Sequence, residues 1–208
     1  MRVGGFGGTE ALARWLAEQK IEAVIDATHP YAGRISANAV AACRQACVPL
    51  ASIVRPAWRA QPGDRWQIVA SVEAAALALG QRPQRVFLST GRLELQCFVA
   101  APQHHYLART IDPPQTTKLP PDIAFLQARG PFDHAAEMTL LTSEKIDVIV
   151  SKNSGGDATY PKIEAARTLG LPVVMIARPD KPTGQVVAGA ERAVAWLVQD
   201  ALHSLRGV

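Results

Sequence analysis

The sequence of 208 residues contains few cysteines, which excludes a scaffold built on disulfides. Its three cysteines are Cys43, Cys47 and Cys97, and so few thiols are typical of a protein kept in a reducing cytoplasm. Cys43 and Cys47 are four residues apart, so they share one face of a predicted helix. Structural zinc takes four ligands, and no histidine lies close to this pair. We therefore predict helix packing for these cysteines and no metal site.

Long hydrophobic runs and aromatic residues are also scarce. No apolar run approaches the roughly 18 residues of a membrane span, and the N-terminal stretch MRVGGFGGTE lacks the apolar core of a signal peptide. Aromatic residues make up 6% of the chain, and lysine and arginine form no cluster, which argues against a nucleic-acid platform. The net charge of +4 suits a small polyanionic ligand. We therefore predict a cytoplasmic protein with neither a membrane nor a nucleic acid as partner.

Several short catalytic motifs are missing as well. The sequence has no Walker A motif, no hydrolase nucleophile elbow and no helix with metal-ligand spacing. The glycine run GGFGG at residues 4–8 comes nearest to a dinucleotide fingerprint, because Gly5 and Gly7 have the spacing of its first two glycines. Residue 10, where the third glycine would stand, is Glu. The run is therefore either a flexible phosphate loop or a glycine-rich turn.

What the sequence does contain is a regular alternation of strand-like and helical segments. Strand-like IEAVID precedes the helix predicted at residues 34–47, and KIDVIVSK precedes a helix that should end at Gly170. Near-continuous apolar strands favour parallel sheets covered by helices on both faces. We predict an α/β protein of two Rossmann-like domains, residues 1–82 and 83–208, with a cleft between them. A last helix over residues 190–205 should pack on the second domain.

Three of the predicted strands end in turns rich in polar side chains. IEAVI is followed by DATHPYAGR at residues 26–34, VFL by STGR at residues 89–92, and DVIV by SKNSGGDATYPK at residues 151–162. Ligands of such folds bind outside the carboxyl ends of the strands, so we expect the three turns to converge on one cleft. Each turn taken alone is equally compatible with an ordinary βα loop that caps a helix. Capping, however, does not require His, Arg and Lys at three turns.

The second and third turns carry groups that bind anions. Two hydroxyls, a glycine and the guanidinium of Arg92 suit a phosphate or a carboxylate. The third turn offers Lys152, Asn153, paired glycines and a helix start near Thr159, where backbone N–H groups attract anions. His29 is held in an extended conformation by the proline after it. We predict that it contacts a ligand rather than acting as a general acid.

Several long blocks of the sequence together resemble the precorrin-6A reductases of cobalamin biosynthesis. The blocks are VGGFGG, IEAVIDATHPYA, STGR, GPF and VIVSKNSGGDATYPKIEAARTLGLPVVMIARP, and the resemblance runs from about residue 3 to residue 179. It implies an enzyme with NADPH as hydride donor, which saturates one double bond of the precorrin-6A macrocycle to give precorrin-6B, the dihydro form. It implies no flavin and no metal. It also leaves room for handover of the product to the next enzyme of the pathway.

The resemblance and the turn chemistry together give a set of candidate site residues. The side-chain candidates for the proton donor are Tyr31, Tyr160 and, as the alternative to its ligand contact, His29, and water is an equally open source of the proton. The cofactor-binding candidates are Gly5, Gly7, Thr28, His29, Ser89, Thr90, Gly91, Arg92, Asn153, Ser154, Gly155 and Gly156. The substrate-binding candidates are Pro30, Tyr31, Arg34, Lys152, Thr159, Tyr160 and Lys162. The basic members suit the acetate and propionate groups of a tetrapyrrole substrate.

The chain departs from the family pattern at its start, where members usually open with a strand leading into a GGT-x-E-A turn. The stretch GGTEA at residues 7–11 is either that opening loop or part of a later segment. In the second reading, which we prefer, the first domain lacks an N-terminal strand–helix unit. Three other functions stay open: a cobalt-precorrin-6A reductase of the anaerobic route using NADH, a transferase that grips a nucleotide donor, and a non-catalytic dinucleotide-binding module.

Overall fold

Every strand pairing among the described residues, which are 4–114 and 118–201 of this computed structural model, is parallel. The α-helices are α1 Thr9–Glu18, α2 Gly33–Gln45, α3 Val72–Ala78, α4 His134–Ser143, α5 Pro161–Leu169 and α6 Gly189–Trp196. The strands are β1 Val24–Asp26, β2 Leu50–Ile53, β3 Arg65–Val69, β4 Arg85–Ser89, β5 His105–Thr110, β6 Ile123–Gln127, β7 Val148–Lys152, β8 Pro172–Ile176 and β9 Gln185–Val187. This arrangement confirms the predicted α/β class with parallel sheets.

The chain divides into two compact units, each built on its own sheet. Unit 1 comprises Met1–Pro56 and Pro179–Val208, and unit 2 comprises Ala57–Arg178. Unit 1 holds a three-stranded sheet in the order β1-β2-β9, and unit 2 holds a six-stranded sheet in the order β3-β8-β7-β4-β5-β6. The domain boundary expected at residues 82–83 falls inside unit 2, because β3 pairs with β8 in the same sheet as β4.

Unit 2 forms around central strands that contain apolar runs. β7 is buried at every position, and β4 is buried at Val86, Phe87 and Leu88. Parallel strands that are covered on both faces read as near-continuous apolar sequence, which is why the sequence predicts both of them. Helices α4 and α5 contribute Leu141 and Ile163 to the core cluster that contains Phe87. The carboxyl ends of β4 and β7 are thereby held side by side.

Local residue choice sets the limits of several helices. Pro161 stands in the first turn of α5, where its fixed φ is already helical. Gly170 follows the end of α5 with a left-handed φ of 67°, which favours glycine, and this confirms the predicted end. Helices α3 and α4 begin after Ser71 and Asp133, whose side-chain oxygens each accept a backbone N–H three residues on.

Two elements differ from the sequence prediction. Residues 92–100, which the pattern predicts as a helix, form a 3₁₀ helix instead of an α-helix. The short strand β9 is absent from the prediction. A strand of three residues shows no readable alternation, and its existence depends on pairing with β2, which lies far away in sequence. The missed strand β9 is therefore an effect of tertiary pairing.

The closing helix, predicted over residues 190–205, belongs to unit 1. α6 ends at Trp196 and continues as a π-helix over residues 197–201, and the predicted end at residue 205 lies outside the described residues. Its apolar face joins a cluster with Ala51 of β2 and Val187 of β9, which both belong to unit 1. Among the helices of the described chain, none has both the length and the apolar character that crossing a bilayer requires.

Candidate functional site

The turn after β1, residues 26–31 (the Asp26 turn), is organised around one buried carboxylate. Asp26 is 4% exposed. Its Oδ1 accepts hydrogen bonds from the Thr28 backbone N–H at 2.9 Å and hydroxyl at 2.6 Å, and its Oδ2 accepts one from the Ser36 hydroxyl at 2.6 Å. Burial raises the pKa of Asp26, but these hydrogen bonds and the charge of Lys181 outweigh burial and leave the pKa below its usual value. The carboxylate of Asp26 is therefore ionised, and in that form it holds the turn in place.

Lys181 completes this turn from far along the chain. Its Nζ lies 3.4 Å from Oδ2 of Asp26 and donates to the carbonyl and hydroxyl oxygens of Thr28 at 3.3 and 3.0 Å. The sequence analysis missed Lys181, which stands after β8 with no motif around it. One signal existed, because a carboxylate directly after an apolar strand needs partners when it is buried. That signal does not say which lysine provides the charge.

A groove of about 890 Å³ in unit 1 is lined by residues from the glycine run 4–8, α1, β1 and α2. Sequence-predicted site residues that line it are Gly5, Gly7, Thr28 and Arg34. Gly7 has a φ of 87°, where a side chain would be strained. Apolar side chains such as Trp15 and Ile35 line the same groove. An apolar cavity with a few polar groups is the usual form of a small-molecule site.

The other candidates of the Asp26 turn are not among the residues that line this groove. These are His29, Pro30 and Tyr31. The rings of His29 and Tyr31 pack together with their centroids 5.6 Å apart, and the Tyr31 backbone N–H donates to His29 Nδ1 at 3.4 Å. His29 is exposed and Tyr31 is half-buried. Both rings therefore lie at the solvent-accessible end of β1.

In unit 2, the turn after β4, residues 89–92 (the Ser89 turn), contains a buried hydroxyl. Strands β4 and β7 are neighbours, and Ser89 pairs with Ser151, so this turn lies beside the end of β7. Thr90 is 5% exposed, and its hydroxyl has no hydrogen-bond partner within residues 4–114 and 118–201. An unsatisfied buried hydroxyl is costly. It is therefore a candidate for a bond to a ligand oxygen.

Two cations lie at the Ser89 turn, Arg92 within it and Lys152 at the end of the neighbouring strand β7. Each has a carboxylate partner. The guanidinium of Arg92 lies 3.7 Å from the carboxylate of the exposed Asp112. The ammonium of Lys152, whose side chain is 10% exposed, donates to Oε1 of Glu94 at 2.5 Å. Gly91 has a φ of 105°, and a Cβ there would stand 3.2 Å from the Glu94 carboxylate. Because exposed ion pairs are weak, Arg92 is the cation that exchanges its partner more readily.

The loop after β7, residues 153–156 (the Asn153 loop), is tied at both ends to Trp58. Asn153 Oδ1 accepts the backbone N–H of Trp58 at 2.8 Å, and Asn153 Nδ2 donates to the Trp58 carbonyl at 3.0 Å. The indole Nε1 of Trp58 donates to the carbonyl of Gly156 at 2.9 Å. Gly155 and Gly156 have φ values of 66° and 74°, in the left-handed region. The amide of Asn153, predicted to contact a cofactor, therefore braces its own loop.

Lys162 lies in the interior of unit 2 and not at the surface of its turn. It is 3% exposed, its Nζ donates to the Thr159 carbonyl at 2.7 Å, and Nζ lies 4.9 Å from the ring centre of Trp58. Burial lowers the pKa of Lys162 to about 7, an effect that Glu137 opposes and Arg109 reinforces. Glu137 and Arg109 are themselves a buried ion pair at 2.7 Å. Lys162 therefore supports the start of α5 from within.

Tyr160 has its hydroxyl engaged with a charged pair. The hydroxyl accepts a hydrogen bond from Nη2 of Arg167 at 2.7 Å, and Nε of Arg167 lies 2.9 Å from the Asp64 carboxylate. The Tyr160 ring packs against Trp58 with centroids 5.5 Å apart. A phenol that accepts a hydrogen bond keeps its own proton to donate. Tyr160 therefore stays a candidate proton donor.

The structure gathers the candidate residues into one group in each unit. In unit 2, the Ser89 turn and the Asn153 loop follow the neighbouring strands β4 and β7, and the Ser154 hydroxyl lies 3.5 Å from the Lys152 carbonyl. In unit 1, Asp26 and Thr28 of the Asp26 turn line the same groove as Arg34 and the glycine run. Within the part of the chain that the structure describes, His, Cys, Asp and Glu side chains form no group of three or more suited to a metal ion.

Comparisons with known proteins match nearly the whole chain. The family model described as Precorrin-6x reductase CbiJ/CobK matches residues 1–198. Precorrin-6A reductase from Rhodobacter capsulatus is 48% identical over 94% of this chain and 78% of that protein. Cobalt-precorrin-6A reductase from Priestia megaterium is 28% identical over 91% of this chain and 78% of that protein. A solved structure of CobK precorrin-6A reductase matches with a TM-score of 0.90 and 48% identity, covering 95% of this chain and 78% of that one.

Proposed function

Because the chain belongs to the Precorrin-6x reductase CbiJ/CobK family, we propose that it reduces one double bond of the precorrin-6A macrocycle with NADPH and releases precorrin-6B, the dihydro form. The family match over residues 1–198 carries this proposal. Membership makes the chain an oxidoreductase of cobalamin biosynthesis. Identity of 48% to a precorrin-6A reductase, against 28% to a cobalt-precorrin-6A reductase, favours the metal-free substrate.

The Ser89 turn and the Asn153 loop suit the phosphates of NADPH. The buried Thr90 hydroxyl lacks a partner among the described residues, and a phosphate oxygen is an acceptor that it fits. Glycines 91, 155 and 156 allow close approach of the backbone, and Arg92 adds a cation that contacts the exposed Asp112 and the Pro113 carbonyl. NADPH supplies the hydride when it is bound, so these residues have to bind and orient it.

In unit 1, we assign cofactor contacts to the groove and to the end of β1. Gly5 and Gly7 line the groove, and Thr28 is held in place by Asp26. The exposed ring of His29 follows directly. A rigid turn beside a glycine run suits a dinucleotide, because the turn loses little conformational freedom on binding.

Substrate contacts are assigned to the cations and rings at the strand ends. We assign Arg34 and Lys152 as candidate partners of the acetate and propionate carboxylates of a precorrin. Pro30 and Tyr31 add apolar surface in the same turn that precedes α2, and Thr159 stands two residues before the start of α5. Lys162 takes a supporting role instead, since its ammonium is buried beneath Trp58.

The reduction also consumes one proton. The hydride adds to one carbon of the double bond and the proton to the other, which closes the balance of atoms and electrons. His29 and Tyr31 are accessible to solvent, and the Tyr160 hydroxyl keeps its proton while it accepts a bond from Arg167. We propose that the proton comes from one of these three groups.

The direct test is to mix the protein with NADPH and precorrin-6A in the absence of oxygen, with NADH in parallel. Loss of the nicotinamide absorbance, coupled to a shift of the pigment spectrum, is the expected result. NADPH should be used in preference to NADH. Turnover of a cobalt-loaded precorrin with NADH, and none with the metal-free substrate, would contradict the proposal.

A matched pair of arginine variants tests the cofactor assignment at the Ser89 turn. Arg92→Ala should raise the KM for NADPH about tenfold, because a charge-assisted contact to a phosphate is lost. Arg85→Ala is the control, since Arg85 stands at the opposite end of β4 and pairs with Glu144 at the surface. The same KM in both variants would remove Arg92 from the cofactor site.

A further inference from the structure

Trp58 lies outside every sequence motif, yet it contacts both ends of the Asn153 loop. Its backbone N–H and carbonyl bond the two polar atoms of the Asn153 amide at 2.8 and 3.0 Å, and its indole N–H bonds the Gly156 carbonyl at 2.9 Å. Asn153 and Gly156 are the first and last residues of the loop. One residue thus spans the loop that follows β7.

The loop needs such a brace because its own sequence is permissive. Gly155 and Gly156 both have left-handed φ values, and glycine loses more conformational freedom on ordering than any other residue. An unbraced Ser-Gly-Gly segment would sample many conformations, and a ligand would have to select one of them. Bonds at both ends reduce that conformational cost before any ligand arrives.

The Trp58 ring is itself held by contacts with one charged and one aromatic side chain. The ammonium of Lys162 lies 4.9 Å from the ring centre, and the ring of Tyr160 packs with its centroid 5.5 Å away. A buried ammonium near an indole is attracted to it by the ring quadrupole. Because Lys162 also bonds the Thr159 carbonyl, the ring is fixed relative to the start of α5.

We propose that Trp58 is a positioning residue that holds the Asn153 loop in the conformation that receives its ligand. In naming the ligand as NADPH, this inference rests on the proposed function. The brace itself does not depend on the ligand, because every bond that forms it lies within unit 2.

The test compares Trp58→Phe with Trp66→Phe. Both tryptophans are half-buried and pack against the same core cluster, but the Trp66 indole N–H has no hydrogen-bond partner among the described residues. Hydrogen exchange of the loop amides, followed by mass spectrometry without ligand, should accelerate about fivefold in Trp58→Phe and stay unchanged in Trp66→Phe. The KM for NADPH should rise about fivefold in Trp58→Phe alone, with kcat within about twofold.

The two readouts separate the failure of this inference from failure of the proposed function. Unchanged exchange in Trp58→Phe would overturn the positioning role and leave the reductase proposal standing. Faster exchange with an unchanged KM would overturn the assignment of the loop to NADPH and leave the brace standing. Should Trp58→Phe fail to fold, Asn153→Ala removes the two amide bonds and keeps the indole, and it should loosen the loop in the same measurement.

Discussion

The Asp26 turn and the Asn153 loop both follow buried parallel strands, yet different interactions hold them. In unit 1, a buried carboxylate accepts three hydrogen bonds and pairs with Lys181. In unit 2, neutral groups do the corresponding work, because an indole, an amide and backbone atoms share the bonds. The first turn is therefore sensitive to the loss of one charge. The second depends on ring shape and on its glycines.

Charged side chains also lie near the Asn153 loop, but they are buried in the interior of unit 2. Lys162 contacts the far side of Trp58 and shares the interior with Arg109 and Glu137. The two regions consequently titrate in different pH ranges. The carboxylate of unit 1 has a lowered pKa, and the ammonium of unit 2 has a pKa lowered to about 7.

The largest effect is expected from Asp26→Ala. The substitution removes three hydrogen bonds and leaves the ammonium of Lys181, whose side chain is 10% exposed, without its carboxylate. Breaking a buried ion pair on one side costs about 3–5 kcal/mol, which urea denaturation should register as lost free energy of unfolding. Glu144→Ala breaks an exposed pair with Arg85 and should cost less than about 1 kcal/mol. Equal losses in both variants would show that the pair does not fix the turn.

Acid should reduce the difference in unfolding free energy between the native chain and Asp26→Ala. Because the folded-state pKa of Asp26 lies below its ordinary value of 3.8, the ionised carboxylate stabilises the fold above that pH. The contribution is lost as the pH falls through the folded-state value. The gap in unfolding free energy between the native chain and Asp26→Ala should therefore narrow below about pH 4.

Lys162→Met should change the free energy of unfolding in a way that depends on pH on the alkaline side. The folded-state pKa of about 7 lies below the ordinary 10.5, so the unfolded chain binds more protons between these values. The native chain should then gain stability relative to Lys162→Met as the pH rises from 7 to 10.5, by at most about 1.4 kcal/mol per pH unit.

Exposed Lys145 offers the matched control for this titration. Lys145→Met should leave the pH slope of the unfolding free energy as it is in the native chain. Parallel slopes for the native chain and Lys162→Met would mean that the buried ammonium does not lose its proton in this range. The comparison with the Asp26 carboxylate of unit 1 would then have no group in unit 2 that titrates between pH 7 and 10.5.

Patterns within a few residues of each other were readable from the sequence. The runs VFL in β4 and VIV in β7 are apolar because both faces of the sheet are covered, and the polar turns after them follow directly. The end of α5 was predictable as well, because Gly170 readily adopts the left-handed backbone conformation that ends the helix. Fold class and the two polar turns of unit 2 were thus accessible from local sequence.

Features that depend on distant partners were not readable. Trp58 and Lys181 meet the Asn153 loop and the Asp26 turn across long stretches of chain, and neither stands in a motif. Lys162 looked like a surface cation because it follows a polar turn, but the packing of α5 directs its ammonium inward. β9 forms through pairing with β2. Each case is decided by tertiary contacts, which no local pattern encodes.

The smallest effect on stability is expected from Thr90→Val, which should also weaken ligand binding. The Thr90 hydroxyl is buried without a partner among the described residues, so an apolar group of the same shape should raise the free energy of unfolding by up to about 1 kcal/mol. The same variant should weaken NADPH binding about fivefold in a fluorescence titration, since the bond to a phosphate oxygen is lost.

Opposite signs for stability and affinity are what distinguish a ligand-binding hydroxyl from a structural one. Thr168→Val removes an exposed hydroxyl that bonds the Glu164 carbonyl at 3.0 Å, and NADPH affinity should not change there. If Thr90→Val lowered stability and left affinity intact, the hydroxyl would have to serve the fold alone. Unit 2 would then be held by internal bonds at both of its polar turns, as unit 1 is at its own, and its phosphate contacts would have to come from Arg92 and the glycine backbone.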